Sequence, residues 1–384
     1  MIWRRVYMSN QMPNMTLNNI ANACNGTYIG AEELKEKVIC GAVIDSRLVG
    51  EDYLFIPIKG ERVDGHDFIP QVFEKGACCV LSEIELENPA GPYIRVESSE
   101  EALKKIAAFY RQSLPIKVVG ISGSVGKTST KEMISSVISQ KYKVHKTAGN
   151  FNNEIGLPLT VFGIRAEHEV AILEMGISDF NEMHRLATVA NPDICVITNI
   201  GLCHLENLGT RDGILKAKTE MFDHMKEGGL AILNGDDNKL STKTRVNGRD
   251  TVFYGFDADA KLDEEGIPMA EKVIYATDVT NLGFEGMEAV IHAPQGEFRA
   301  NITIPGEHNV YNALAATAVG LELGLTLEEI QKGIEEAKAI AGRTNLVKAN
   351  GMNVIDDCYN ANPVSMEAAM DVLSHAKGRT IAVL

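Results

Sequence analysis

The sequence has no excess of positive charge: its formal net charge is −15 at pH 7. A nucleic-acid partner, whose phosphate backbone needs a basic footprint, is thereby argued against. A nucleotide is not, because a few local donors suffice for one. There is no CxxC pair either. The seven cysteines (Cys24, Cys40, Cys78, Cys79, Cys195, Cys203 and Cys358) are scattered and odd in number. That fits reduced thiols in a cytosol better than a disulfide framework or a zinc site. No apolar run reaches the roughly 18 residues of a membrane span. The opening Met1–Met8 holds two arginines but no apolar core and no small-residue cleavage site, a poor signal peptide. These absences predict a soluble, cytoplasmic protein. Internal repeats and low-complexity tracts are also missing.

What is there is an ordinary globular balance, 45% hydrophobic and 23% charged residues over 384 positions, enough for two or three domains. Residues 1–14 read as a loose, disordered leader ahead of a domain that opens at Met15. Residues 15–114 carry short strand-like runs, such as Tyr53–Ile58 and Cys78–Leu81, and close in a helix over Ser99–Ser113. Residues 115–341 then alternate: strands at Ile116–Ile121, Val170–Leu173, Ile194–Thr198 and Gly229–Leu233, with a helix from Lys127 to Gln140. Such alternation predicts an α/β fold with a parallel sheet covered on both faces. Residues 250–304 suggest an antiparallel edge, followed by helices over Asn309–Leu323 and Thr326–Ile340. Residues 342–384 predict one βαβ unit: a strand at Met352–Ile355, a helix over Pro363–Ala376 and a strand at Thr380–Leu384. Only 41 residues follow Arg343, too few for a domain with its own core.

The strongest chemical signal is the loop Gly120-Ile-Ser-Gly123-Ser124-Val125-Gly126-Lys127-Thr128. A strand enters it and a helix leaves it. Glycines let backbone N–H groups turn inward, and the helix N-terminus adds partial positive charge. The pattern predicts a cradle for the phosphates of a nucleotide, ATP. Lys127 can reach the β- and γ-phosphates and the Thr128 hydroxyl can ligate Mg²⁺. The common Walker A spacing would put glycine where Ile121 stands, so the match is to a shorter form, Gly123–Thr128. Glu174 ends an aliphatic strand beside it, where a second Mg²⁺ ligand belongs; a solvated acid at a strand end is the plainer alternative. His204 follows another strand, and its place on the same sheet edge favours a ligand over a structural histidine. Lys218, taken alone, reads as a solvated helix face. The polar stretch holding Asn150, Asn152, Asn153 and Gly156 suits a tight loop and a binding loop equally.

Together these segments resemble the Mur ligase family of ATP-dependent amide ligases. The matching runs are Gly123–Thr128, Asn150–Gly156, Leu173–Gly176, His204–Glu206, Ala217-Lys218, Gly306–Asn312, Gly342-Arg343 and Ile355–Asn362, with Asp45–Arg47 and Asp64–His66 near the start. The resemblance implies three domains: a small α/β uridine-binding domain (15–114), a central P-loop parallel-sheet ATPase domain (115–341) and a Rossmann-like C-terminal domain (342–384), here incomplete. Within the family, Asn150–Gly156 and Asp356–Asn362 look most like the member that adds D-alanyl-D-alanine to UDP-N-acetylmuramoyl-tripeptide. The implied cofactors are ATP and two Mg²⁺ ions. The implied metal ligands are Thr128, Glu174, His204 and a carbamylated Lys218. Asn309 and Asn312 match adenine-reading positions, Arg343 and Asp357 contacts to phosphate and ribose, and Ser46 and Arg47 the holders of the UDP end. Asn150, Asn152 and Asn153 match the substrate loop. The expected partners are those two substrates, the expected state a monomer. The short third domain reads as a truncation, so the chain is expected to be a fragment or a form that cannot complete the reaction. Competing readings are another Mur-type or folylpolyglutamate-synthase-like ligase, or a nucleotide-binding fragment without activity. A GTPase-like switch is argued against by Asn238-Lys-Leu-Ser241, which lacks the aspartate of a guanine motif.

Overall fold

The computed structural model describes residues 11–257, 262, 263, 266, 269–376 and 378–383, which gather into two units. The first consists of Met1–Ile116 with Thr147–Glu169 and Thr188–Asn191. Its sheet has five strands in the order Thr27–Ile29, Tyr93–Arg95, Ala77–Ser82, Tyr53–Phe55, Gly41–Val43. Only the first pairing is antiparallel. All six residues of Ala77–Ser82 are buried, as a strand covered on both faces requires. The helix Ser99–Ser113 begins where Ser98 accepts the Glu101 N–H on its hydroxyl. It buries Leu103, Ile106, Ala107 and Tyr110, one stripe at helical spacing.

The second unit holds Lys117–Lys146, Val170–Ala187 and Pro192–Leu384. Its nine-stranded sheet runs Gly296–Ile302, Met287–Ala293, Ile274–Asn281, Val252–Phe256, Leu230–Asn234, Ile194–Ile197, Lys117–Ser122, Val170–Glu174, Val144–Lys146. The seven strands from Ile274–Asn281 to Val144–Lys146 are parallel, and the last two at the other edge are antiparallel, as residues 250–304 suggested. Helices Lys127–Ile138, His308–Glu322 and Leu327–Glu335 pack on this sheet through Ile134, Val137, Leu314, Val319, Ile330 and Ile334. A Cβ on Gly333 would lie 2.4 Å from Val137 Cα, so glycine sets how closely these helices approach. The chain reverses strand order around Lys117–Ser122, whose neighbours are Val170–Glu174 on one side and Ile194–Ile197 on the other. At such a switch point the carboxyl ends of adjacent strands splay apart and leave a crevice for ligand.

Three expectations change. The first ten residues of the expected leader lie outside the described residues. The packed chain nonetheless starts ahead of Met15: Met12 is fully buried and its N–H donates to Ile39 O. The helix expected to run to Ile340 stops at Glu335. The Ala337 carbonyl is taken by the Thr303 hydroxyl, and Ile340 bridges Arg343 instead. Tertiary bonds here override helix propensity. The βαβ unit is instead a hairpin and a helix. Asn345–Ala349 pairs antiparallel with Met352–Asp356 through Asn350 and Gly351, both at positive φ, the backbone that an Asn-Gly turn favours. Residues 380–383 form no strand, and Leu384 lies outside the described residues. Residues 342–376 cluster with the second unit.

In the first unit Tyr110 is fully buried and its hydroxyl donates to Ile164 O at 2.7 Å. Tyr110→Phe is expected to cost about 0.5–1.5 kcal/mol, because the Ile164 carbonyl loses one of two donors and keeps Arg165 Nη1 at 2.9 Å. Urea denaturation measures it.

Candidate functional site

The strand Lys117–Ser122 delivers its chain into the loop Gly123–Gly126, and Lys127 opens the helix beyond. Gly123 has φ +149 and a Cβ there would stand 1.9 Å from Thr198 Oγ1, so only glycine fits. The loop is held from outside. Ser124 N–H donates to Asn199 O, Val125 N–H to Asn199 Oδ1 at 3.1 Å, and the Val125 carbonyl accepts from Thr198 Oγ1 and Asn199 Nδ2. Gly201 N–H donates to Ser124 Oγ at 2.9 Å. Half-buried Lys127 bends back over this loop, with Nζ donating to Gly123 O at 2.9 Å and Ser124 O at 3.3 Å. Desolvation holds its pKa below the usual lysine value.

Glu174, at the tip of the neighbouring strand, is buried. Its Oε1 accepts from the Thr128 hydroxyl at 3.2 Å and its Oε2 lies 3.7 Å from Lys131 Nζ. Lys131 is itself buried. Lys218 sits on the helix Arg211–Thr219 and is almost wholly buried. Burial first, then the charge of Lys127, pull its pKa down to about 7. A lysine on a solvated helix face is therefore not what the fold makes of it. His204 is exposed, in the left-handed region at φ +60, and caps the short helix Leu205–Leu208. Such a conformation is rare away from glycine and is a mark of strained functional positions. Partial desolvation, then Lys218 and Lys127, lower its pKa. Lys127 thus lies within electrostatic reach of Glu174, His204 and Lys218, and His204 within reach of Lys218.

Among the described residues no three His, Cys, Asp or Glu side chains converge as a ready metal site. The Thr128 hydroxyl and Glu174 carboxylate still fit a magnesium ion. They are two hard oxygen donors side by side at the loop, and such an ion takes one or two protein oxygens and completes its shell with phosphates and water.

Asn309 and Asn312 are buried in a chain of side-chain bonds. Thr130 Oγ1 donates to Asn312 Oδ1 at 2.6 Å, Asn312 Nδ2 to Asn309 Oδ1, and Asn309 Nδ2 to Pro305 O. The pair therefore anchors the helix His308–Glu322 to the phosphate-loop helix. The Arg343 guanidinium stacks 4.3 Å from the Tyr359 ring centroid, and Asp357 Oδ1 accepts the Thr344 N–H at 2.9 Å. Asp357 thus spends one oxygen on fixing the Gly342–Thr344 turn.

The remaining expected positions are in the first unit. Arg47 is exposed and its guanidinium pairs with both oxygens of Asp45, which holds the Asp45 carboxyl down at about 2. Ser46 is buried and its carbonyl accepts from Lys75 Nζ at 2.8 Å. Glu83 N–H donates to His66 Nε2, so the proton of that ring is on Nδ1, facing Asp64. Asn153 Oδ1 accepts the Gly156 N–H, Asn152 N–H donates to Asn150 O, and Asn150 is exposed. Sequence reasoning missed Lys131, Thr198 and Asn199. Lys131 had a signal, one helical turn after Lys127 and so on the same face.

A phosphate-type loop at the switch point of a parallel sheet places the chain among nucleotide-binding α/β proteins. Comparison with known proteins narrows this. The family model described as Mur ligase middle domain matches residues 121–320, and that described as Mur ligase family, catalytic domain, matches residues 39–111. The chain belongs to the Mur ligase family. It is 39% identical to the UDP-N-acetylmuramoyl-tripeptide--D-alanyl-D-alanine ligase of Bacillus subtilis, over 96% of this chain and 77% of that one. With the Escherichia coli protein of the same name the identity is 34%, over 97% and 79%. A crystal structure of MurF from Acinetobacter baumannii superposes with a TM-score of 0.84 at 32% identity, over 94% of this chain and 77% of that one. MurF ligase from Thermotoga maritima, solved in complex with ADP, gives 0.76 at 31%, over 88% and 75%. The matches take in 96% of this chain and 77% of the Bacillus subtilis relative.

The depressed Lys218 has a consequence for stability. Below about pH 7 folded and unfolded chains both hold its proton, so the cost of burying the cation is complete. As pH rises from there toward the unfolded value, roughly 10.4, only the unfolded chain keeps the proton, and stability rises. Lys218→Met is expected to stabilise the protein by about 2 kcal/mol at pH 7, with a smaller gain at pH 9.5. Denaturation in carbon-dioxide-free buffer at the two pH values checks this.

Proposed function

We propose that the chain is an ATP-dependent, ADP-forming ligase that joins D-alanyl-D-alanine to UDP-N-acetylmuramoyl-tripeptide in the cytoplasm, a step of peptidoglycan precursor synthesis, and that it acts as a monomer. The observation that carries this is the phosphate loop with Glu174 and Lys218 beside it, in a chain 39% identical to a relative named for that reaction. Residues 15–114 take the UDP end, 115–341 the ATP, and 342–384 contribute ribose and phosphate contacts.

An amine cannot displace hydroxide from a carboxylate at a useful rate. The terminal carboxylate of the tripeptide therefore attacks the γ-phosphorus of ATP, the bond to ADP breaks, and an acyl phosphate forms. The amine of D-alanyl-D-alanine adds to its carbonyl carbon. The tetrahedral intermediate then expels phosphate as the nitrogen loses its proton. Phosphoryl transfer rests on positioning and charge neutralisation. Lys127 supplies both, exchanging the Gly123 and Ser124 carbonyls for phosphate oxygens, which accept charge-assisted bonds more strongly. Thr128 and Glu174 would hold one Mg²⁺, and His204 and Lys218 would lie beside a second; such ions would neutralise charge on the phosphates. Asn309 and Asn312 shape the adenine site, and Arg343 and Asp357 meet phosphate and ribose. Ser46 and Arg47 hold the uridine diphosphate, while Asn150, Asn152 and Asn153 face the substrate. A pKa near 7 leaves much of Lys218 as neutral amine at physiological pH. The amine nitrogen can then bond to the carbon of carbon dioxide and lose a proton, giving a carbamate. This converts a buried cation into an anionic oxygen ligand.

Phosphate release is expected only when ATP, UDP-N-acetylmuramoyl-tripeptide and D-alanyl-D-alanine are all present. Turnover that depends on a folate instead overturns the reading, and nucleotide binding without product favours a non-catalytic fragment. Lys218→Ala should lose at least about tenfold in kcat and regain activity with short carboxylic acids. Loss without rescue removes the carbamate.

A further inference from the structure

Ile200 is gripped at both of its backbone polar groups. Its N–H donates to Asp237 Oδ2 at 2.7 Å, and its carbonyl accepts from Arg211 Nε at 2.8 Å. Arg211 Nη2 lies 3.7 Å from Asp237 Oδ1, which closes a ring around one peptide residue. The Asp237 side chain is 7% exposed and that of Arg211 33%. Asp237 also caps its own turn, Oδ1 accepting the N–H groups of Lys239 and Leu240 at 2.9 and 3.0 Å. A local cap would need that oxygen alone. The other reaches a backbone N–H 37 residues earlier in the chain.

The position of Ile200 gives the ring its meaning. The residue before it, Asn199, holds Ser124 and Val125 of the phosphate loop, and the residue after it, Gly201, holds the Ser124 hydroxyl. Four residues on stands His204. Arg211 opens the helix Arg211–Thr219, and Lys218 lies seven residues along it, two turns on and so on the same face. The ring therefore joins the phosphate loop, the His204 segment and the Lys218 helix at one point.

We infer that Arg211 and Asp237 are positioning residues: they lock the segment Asn199–His204 against the phosphate loop and set the register of the Lys218 helix to it. Neither touches the reacting atoms. The kinetic consequence rests on the ligase reading, where a misplacement of about 1 Å can cost on the order of 100-fold in rate. The physical clamp does not.

The test uses the full chain with Arg211→Ala, Arg211→Lys, Asp237→Asn and the double variant Arg211→Ala/Asp237→Asn. Asp237→Asn keeps the shape and one acceptor oxygen, enough for the turn or for Ile200 but not for both. Hydrogen–deuterium exchange across residues 200–204 is expected to quicken at least about tenfold in Arg211→Ala and Asp237→Asn, with residues 194–197 unchanged. In substrate-dependent ADP release, kcat should fall about 10- to 100-fold while KM for ATP moves less than about threefold. The double variant should be no worse than the poorer single one, since both act through one ring. Arg211→Lys should recover part of kcat. Unchanged exchange, or additive losses in the double variant, overturns the clamp. If the unaltered chain releases no ADP, the ligase reading fails and exchange alone decides the clamp. If Asp237→Asn does not fold, Arg211→Ala, partly exposed and outside the turn cap, carries the test.

Discussion

The site depends on the hydrogen bonds by which the Thr198–Gly201 segment holds the loop Gly123–Thr128. A phosphate loop must aim its backbone N–H groups inward, so it can bond little to itself, and its outer groups need partners elsewhere. Thr198, Asn199 and Gly201 are those partners, and the side chain of Thr198 passes where a Cβ on Gly123 would be. The glycine is thus as much a demand of the neighbouring strand as of a ligand. Parallel pairing of Lys117–Ser122 with Ile194–Ile197 brings the two segments together.

Around this frame the chain buries charge. Lys131, Glu174 and Lys218 are all withdrawn from water at one edge of one sheet. Burying so many ionisable groups costs stability unless they are paired, and only some are. Thr128 and Lys131 flank Glu174, whereas for Lys218 the nearest strong influence is another cation, Lys127. Such an arrangement is hard to account for as scaffolding. It is the pattern expected where charged substrate and ions supply the missing partners.

Much of this was legible in the sequence, and the parts that were not share a cause. The strand–loop–helix of the phosphate loop is local: glycine spacing, an aliphatic run before it and helix formers after it lie within about twenty residues. Glu174 and His204 could be placed because each ends a recognisable strand. The hairpin Asn345–Asp356 was legible in principle from Asn350-Gly351 and was read as a βαβ unit because the helix after it dominated the pattern. Lys131, Asn199, Asp237 and Arg211 carried little signal, since their roles depend on which strands become neighbours. Asn309 and Asn312 illustrate the same limit: their motif was readable, but their bonds to Pro305 and Thr130 come from helix packing.

The sequence by itself determined the α/β class, the phosphate loop and the family, because hydrophobic period, glycine placement and motif order are properties of the chain in one dimension. The tertiary structure decided the electrostatics. Lys218 reads as a solvated lysine until its helix is packed, and then burial and Lys127 bring its pKa to about 7. Desolvation and charge proximity are set by distances in space, and no spacing along the chain encodes them.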